Sequence, residues 1–72
     1  MFRSNKIKFG DKLKKLRQQH KMTQTRMSQI SGVQPAVLSR IENNKSMGHI
    51  KNYMGIAKAL NLKLSELFAL IE

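Results

Sequence analysis

Over residues 34–45 the chain sets out side chains suited to touching the edges and rails of a polyanion. The Gln34 amide offers a donor and an acceptor side by side, the pattern adenine matches, and the Arg40 guanidinium can bond guanine or a phosphate. Ala36 can touch a thymine methyl, and the Ser39 hydroxyl can donate or accept. Asn43, Asn44 and Lys45 follow as donors for backbone phosphates. Further upstream Gln24 stands at what reads as a helix start, where free N–H groups also attract an anion. Phosphate bonds of this kind set register without specifying a base. Other chemistries find little to work with. Ser39 and His49 lack the third member of a nucleophile, base and orienter set. His20 and His49 are far apart, with no cysteine and few carboxylates to complete a ligand set, so no metal, no cofactor and no enzymatic activity are expected.

Such side chains need a rigid mount, and residues 23–43 read as two short helices joined by a tight turn. Thr23 is the N-cap of the first, with a phosphate contact as its lesser role, and Met27 and Ile30 give that helix an apolar side. Gly32 sits where a helix stops with φ > 0, which ends the first helix near Ser31. Gln34 can cap the second helix, and Pro35 opens it at the one position where a missing N–H costs nothing. Val37, Leu38 and Ile41 are its apolar side; Gln34, Ala36, Ser39, Arg40 and Asn43 are its exposed side. Two helices this close need a small residue where they cross, and Ser28 supplies it.

Charge points the same way. Fourteen Lys and Arg against four Asp and Glu leave +10 on 72 residues, a field that draws polyanions, with nucleic acid the first candidate and plain solubility the other use of such charge. Between Lys12 and Ser65 the only acid is Glu42. The length allows one domain near the lower limit for a self-sufficient core, and the absence of cysteine excludes disulfide staples. No apolar run approaches a membrane span and the first eight residues lack a signal-peptide core, so a cytoplasmic protein without a membrane partner is expected.

The remainder of the chain supports that mount. Residues 1–8 carry Arg3, Lys6 and Lys8 and read as a basic arm, either frayed or tracking a groove or phosphates. Phe9, Leu13 and Leu16 recur at helical spacing, with Asp11 in the first turn, and predict a helix to about His20. Its Lys12, Lys14, Lys15 and Gln18 face would suit a membrane surface in isolation, but the helix is short and a domain follows. Asn44-Lys45-Ser46-Met47-Gly48 is a loop, and Ile50, Tyr53, Met54, Ala57 and Leu60 mark a helix over about residues 49–60 despite Gly55. Leu62 and Leu64 fill a connection, and Leu67, Phe68 and Ile71 are the stripe of a short final helix. The five methionines read as core filler or loop.

Small, glycine and apolar residues at 28, 32, 38 and 41 resemble the helix-turn-helix of lambdoid phage repressors and Cro proteins, the XRE-like family. The likeness covers residues 9–68: Leu16-Arg17 before the motif, Thr23-Gln24 opening it, Ser39-Arg40-Ile41-Glu42-Asn43 closing it, and Ile56-Ala57-Lys58-Ala59-Leu60 after it. It implies an all-α fold, a compact lambda-repressor-like five-helix bundle over residues 9–72. It implies base contacts at Gln34, Pro35, Ala36 and Arg40, a phosphate-binding Gln24, and an internal salt bridge between Arg17 and Glu42, with Arg17 also within reach of a phosphate. Five positions depart from the family: Pro35 and Ala36 stand where polar pairs are common, which leaves fewer direct hydrogen bonds to bases, and three others bear on helix ends. Lys21 replaces a glycine and is expected at φ > 0, Arg26 replaces the acid of a capping box, and His49 replaces a hydroxyl cap.

The function expected from this resemblance is a repressor that binds double-stranded DNA as a homodimer on a pseudo-palindromic operator, including that of its own gene. The apolar cluster Leu64, Leu67, Phe68, Leu70 and Ile71 exceeds what one short helix needs and is the expected dimerisation surface. The alternatives are an antitoxin that binds a toxin protein and its own promoter, a restriction-modification controller, and a basic RNA- or ribosome-associated factor on the same fold.

Overall fold

The computed structural model describes residues 9–72, which form five helices and no strand. The basic arm expected over residues 1–8 lies outside the described residues. In chain order the helices are α1 (Phe9–Gln19), α2 (Gln24–Ser31), α3 (Pro35–Glu42), α4 (Ile50–Ala59) and α5 (Leu64–Ile71).

Three helices stop by the same device. After α1, α3 and α4 the chain enters the left-handed region at Lys21 (φ 58°), Asn44 (φ 61°) and Asn61 (φ 60°). At each stop two N–H groups turn back onto the last carbonyls. Lys21 bonds Gln18 O at 2.8 Å and Met22 bonds Arg17 O at 3.2 Å; Asn44 bonds Ile41 O at 3.1 Å and Lys45 bonds Arg40 O at 2.8 Å; Asn61 bonds Lys58 O at 3.0 Å and Leu62 bonds Ala57 O at 2.8 Å. These paired bonds are Schellman caps, and they answer carbonyls the helix cannot satisfy itself. Lys21 holds the strained conformation expected of it; asparagine, whose short amide tolerates that region best after glycine, holds the other two.

Helix starts are less uniform. Thr23 Oγ1 accepts the Arg26 N–H at 3.0 Å, so this cap works although Arg26 stands where a carboxylate would reciprocate. Gln34 and His49 take the extended N-cap conformation but make no side-chain cap bond. At α5 the Glu66 carboxylate accepts the Lys63 N–H at 2.7 Å; an ammonium carries no acceptor, so that box is half made.

The core draws on every helix: Leu13, Met27, Leu38, Ile41, Ile56 and Leu67 are wholly enclosed. Its placement corrects the expected stripes. On α4 the buried residues are Tyr53, Ile56 and Ala57, followed by the buried Leu60 that caps it, while Ile50 and Met54 are 52% and 56% exposed. The cause is Gly55. A Cβ at that position would lie 2.3 Å from Ser31 O, so α4 meets α2 backbone to backbone there, and the buried arc turns toward Ile56 and away from Met54. By the same contact α2 turns Met27 and Ser28 inward and leaves Ile30 largely exposed. On α5, Leu67 is wholly enclosed and Ile71 is buried in the core while also lining a groove beside Phe68; Leu64 and Phe68 are half-buried, and only Leu70 of the expected dimerisation cluster is exposed. Leu64 opens α5 rather than filling the connection.

Tyr53 also secures the loop behind α3. Its hydroxyl donates to Met47 O, its ring lies 5.4 Å from that of Phe68, and burial pushes its phenol above the ordinary 10.0.

If α2 and α4 touch at Gly55, Gly55→Ala should lose about 1–3 kcal/mol by overpacking, in spite of alanine being the better helix former by about 1 kcal/mol. Urea denaturation of the two proteins reads this directly, and equal stabilities would mean the helices do not meet there.

Candidate nucleic-acid interface

The turn between α2 and α3 is three residues long and is held by two serines. Gly32 takes φ 77° and returns its N–H to Ser28 O at 3.0 Å, the Ser28 hydroxyl donates to Val33 O, and Ser31 Oγ accepts the Val33 N–H at 3.1 Å. Ser28 is therefore more than a small residue at a crossing; it anchors the turn itself. With Val33 buried, α3 has no freedom to roll. Leu38 and Ile41 are wholly enclosed and Val37 half-buried, which leaves Gln34, Pro35, Ala36 and Arg40 exposed along the opposite side. Ser39 is different: it is half-buried, and its hydroxyl accepts the Asn43 amide at 3.3 Å.

A buried network fixes the carboxyl end of α3 to the rest of the domain. Arg17 Nε and Nη2 donate to the two oxygens of Glu42 at 2.8 and 3.1 Å, and Arg17 Nη1 donates to Met22 O at 2.6 Å. Gln24 Nε2 donates to Glu42 Oε1 at 3.0 Å. A single carboxylate thus joins α1, α2 and α3, and through Arg17 the turn after α1. Arg17 is 6% exposed and Glu42 1%. All three guanidinium nitrogens donate inside the protein and Arg17 is buried, so its role in the structure is the internal pair; one N–H on each of Nη1 and Nη2 is left over from these bonds. Gln24 is half-buried and keeps its second amide proton.

Electrostatics follow from that burial. Glu42 is the only acid between Lys12 and Ser65, and it is hidden and paired, so no carboxylate of that stretch faces solvent. Arg26, Arg40 and Lys45 are exposed there. The surface carrying the candidate base-reading residues therefore draws cations and polar groups, and no exposed carboxylate, from that stretch; the exposed Asp11 of α1 lies beyond the carboxyl end of α3, bonded to Asn44 at 3.1 Å.

The remaining candidates divide. Asn43 and Lys45 are exposed beyond the end of α3, and the Thr23 oxygen is engaged as a cap. Asn44 is turned the other way: its Oδ1 accepts the Gly10 N–H at 2.9 Å and its Nδ2 donates to Asp11 Oδ1 at 3.1 Å. Sequence reasoning missed this link. The signal for it was Gly10 inside a helix, where glycine costs about 1 kcal/mol against alanine and so asks for a packing reason. Among the described residues no group of His, Cys, Asp and Glu is gathered that could hold a metal, and no helix is long and apolar enough to cross a membrane.

Comparison with known families gives one match: the helix-turn-helix model covers residues 13–67, from the enclosed Leu13 of α1 to the enclosed Leu67 of α5. No curated protein matches the chain.

Removing one member of the buried pair should be costly because it strands the other charge. Arg17→Met is expected to lose about 3–5 kcal/mol, and Arg17→Met with Glu42→Leu to recover most of it. Chemical denaturation of the two variants decides the matter; a single variant that loses less than about 1 kcal/mol would show that the pair does not lock the fold.

Proposed function

The chain belongs to the Cro/C1-type helix-turn-helix family and is a DNA-binding transcription regulator, and from that premise we propose that it is a homodimeric repressor. Each copy lays α3 in the major groove of one half of a pseudo-palindromic operator, with the promoter of its own gene among the sites it covers.

One observation carries the base-reading part: α3 is pinned on one side by Leu38, Ile41 and Glu42 and bare on the other, where Gln34, Pro35, Ala36 and Arg40 are exposed and no carboxylate between Lys12 and Ser65 faces solvent. Gln34 makes no cap bond, so its amide is available to adenine, and Arg40 is available to guanine or phosphate. Pro35 and Ala36 offer only apolar contact, and Ser39 enters through a hydroxyl shared with Asn43. Direct hydrogen bonds to bases are thus few, and groove width and methyl contacts take a larger share of specificity. Gln24, with its remaining proton, and Thr23 hold phosphates at the amino end of α2; Asn43 and Lys45 hold them beyond α3.

Pairing of copies follows from geometry, because one such domain spans only a half-site. With Leu67 enclosed, the mainly apolar face open to a second copy is a groove of about 500 Å³ lined by Phe9, Met47, Ile50, Tyr53, Phe68 and Ile71, together with Glu72. A two-fold contact needs a patch that complements itself. This one does so in having both a concavity and, on its rim, the projecting Met47 and Ile50, which are 68% and 52% exposed. Two copies of net charge +10 repel each other in free solution, and the phosphates of an operator cancel that repulsion. Pairing is therefore expected on DNA first.

Selection of bound sequences from random duplex DNA tests the reading. The expected product is a pseudo-palindrome with half-sites about 34 Å apart; a pool with no enriched sequence would sink the repressor. On the selected site Gln34→Ala or Arg40→Ala should lose about 1–3 kcal/mol and little on random DNA, whereas Lys45→Ala should weaken both alike. Sedimentation of the complex should give two copies per site for the parent and one for Ile50→Glu. A parent that binds singly removes the homodimer from the proposal.

A further inference from the structure

The carboxyl end of α3 and the amino end of α1 meet head to tail around one glycine. A Cβ on Gly10 would lie 2.3 Å from Ile41 O, 2.6 Å from Asn44 Oδ1 and 2.9 Å from Glu42 O, so no side chain fits between the two helix ends. The positive end of one helix dipole thereby abuts the negative end of the other. Asn44 sits at this joint in a double role. Its backbone, at φ 61°, is the left-handed residue of the Schellman cap that ends α3, and the next N–H, that of Lys45, closes the cap on Arg40 O at 2.8 Å. Its side chain crosses to α1, where Oδ1 takes the Gly10 N–H at 2.9 Å and Nδ2 gives a proton to Asp11 Oδ1 at 3.1 Å. The Gly10 N–H is one of the amino-terminal donors a helix cannot satisfy itself, so α1 is capped by a residue 34 positions away. Few side chains can do this. Glycine accepts the backbone conformation but has no acceptor, and aspartate would set a carboxylate against Asp11; asparagine alone combines tolerance of that φ with an acceptor for Gly10 and a donor for Asp11.

We propose that Asn44 is a positioning residue for DNA binding: it clamps the loop behind the recognition helix to α1 and so holds Lys45 where it meets a phosphate. The inference rests on the reading of Lys45 as a phosphate ligand. Lys45 is exposed, and a lysine stem is long and flexible, so the reach of its ammonium depends on where its Cα is held. The loop is tied at both ends, by Asn44 to α1 and by Met47 O to the Tyr53 hydroxyl of α4. A loop already fixed in this way loses less freedom when it docks on DNA, which raises affinity without any contact by Asn44 itself.

The test is the salt dependence of binding to a short mixed-sequence duplex, measured for the parent, N44G, K45A, the double variant N44G/K45A, and N61G. Glycine suits the left-handed cap at least as well as asparagine, so N44G removes the clamp while keeping the turn; N61G makes the same exchange at the cap of α4, away from the clamp, and should behave as the parent. Loss of one phosphate contact makes the slope of log K against log salt shallower by about 0.9. K45A should show that change, N44G should move most of the way toward it, and the double variant should bind no more weakly than K45A. Hydrogen exchange at the Gly10 amide should accelerate in N44G. Should N44G keep the parent slope, or should the two losses add, Asn44 does not act through Lys45 and the proposal is overturned while the phosphate reading stands. Should K45A itself leave the slope unchanged, Lys45 is no phosphate ligand and both fall.

Discussion

The Arg17–Glu42 contact determines how much of this domain can be rigid. Taking a carboxylate and a guanidinium out of water costs several kcal/mol per ion unless each is fully paired. Here both ions are held, with two bonds between them, a third from Arg17 to Met22 O and a fourth to the carboxylate from Gln24, and among the described residues no buried side-chain nitrogen or oxygen is left without a partner. None of the four groups can shift alone without exposing another to that cost. Since they lie on α1, the turn after it, α2 and the last residue of α3, the recognition helix is fixed at its carboxyl end by charge and along its length by Leu38 and Ile41.

The same contact shapes the field outside. A domain of net charge +10 could still carry a carboxylate beside its binding surface; this one hides its single acid of the central stretch in the pair that holds the surface in place. Structure and electrostatics are thereby satisfied by one residue. The exposed acids Asp11, Glu66 and Glu72 lie on α1 and at α5, and Asp11 is itself drawn into the joint between α1 and α3 through Asn44. Rigidity matters energetically because a recognition surface that is ordered before binding loses less conformational freedom on docking.

Much of this was legible locally. Thr23 capping α2, the left-handed Gly32 and Pro35 opening α3 each follow from rules that act within one turn, and all three occur as expected; the left-handed Lys21, which local sterics disfavour, was expected only from the family resemblance and occurs too. Of the outward set Gln34, Ala36, Ser39, Arg40 and Asn43 expected from periodicity, all but the half-buried Ser39 are exposed, because a helix eight residues long has little room to roll once two of its residues are buried. Periodicity did less well on α4. Ile50 and Met54 are apolar and correctly spaced, yet the arc that is buried lies one step round the helix, and no pattern in the chain states how α4 is rotated about its axis.

What the sequence by itself determined, then, is the approximate bounds of the helices, the start of α5 at Leu64 excepted, and which residues are candidates for a surface that meets DNA, since caps, glycines, proline and apolar spacing act over a few residues. Only the tertiary structure decided which candidates are free. Leu67 and Ile71 are taken by the core, Arg17 by Glu42, and the Asn44 side chain by α1, because helix rotation and helix-end docking are set where backbones approach at Gly10 and Gly55, against residues 34 and 24 positions away. Contacts at that separation depend on how all five helices pack at once, which no local rule contains.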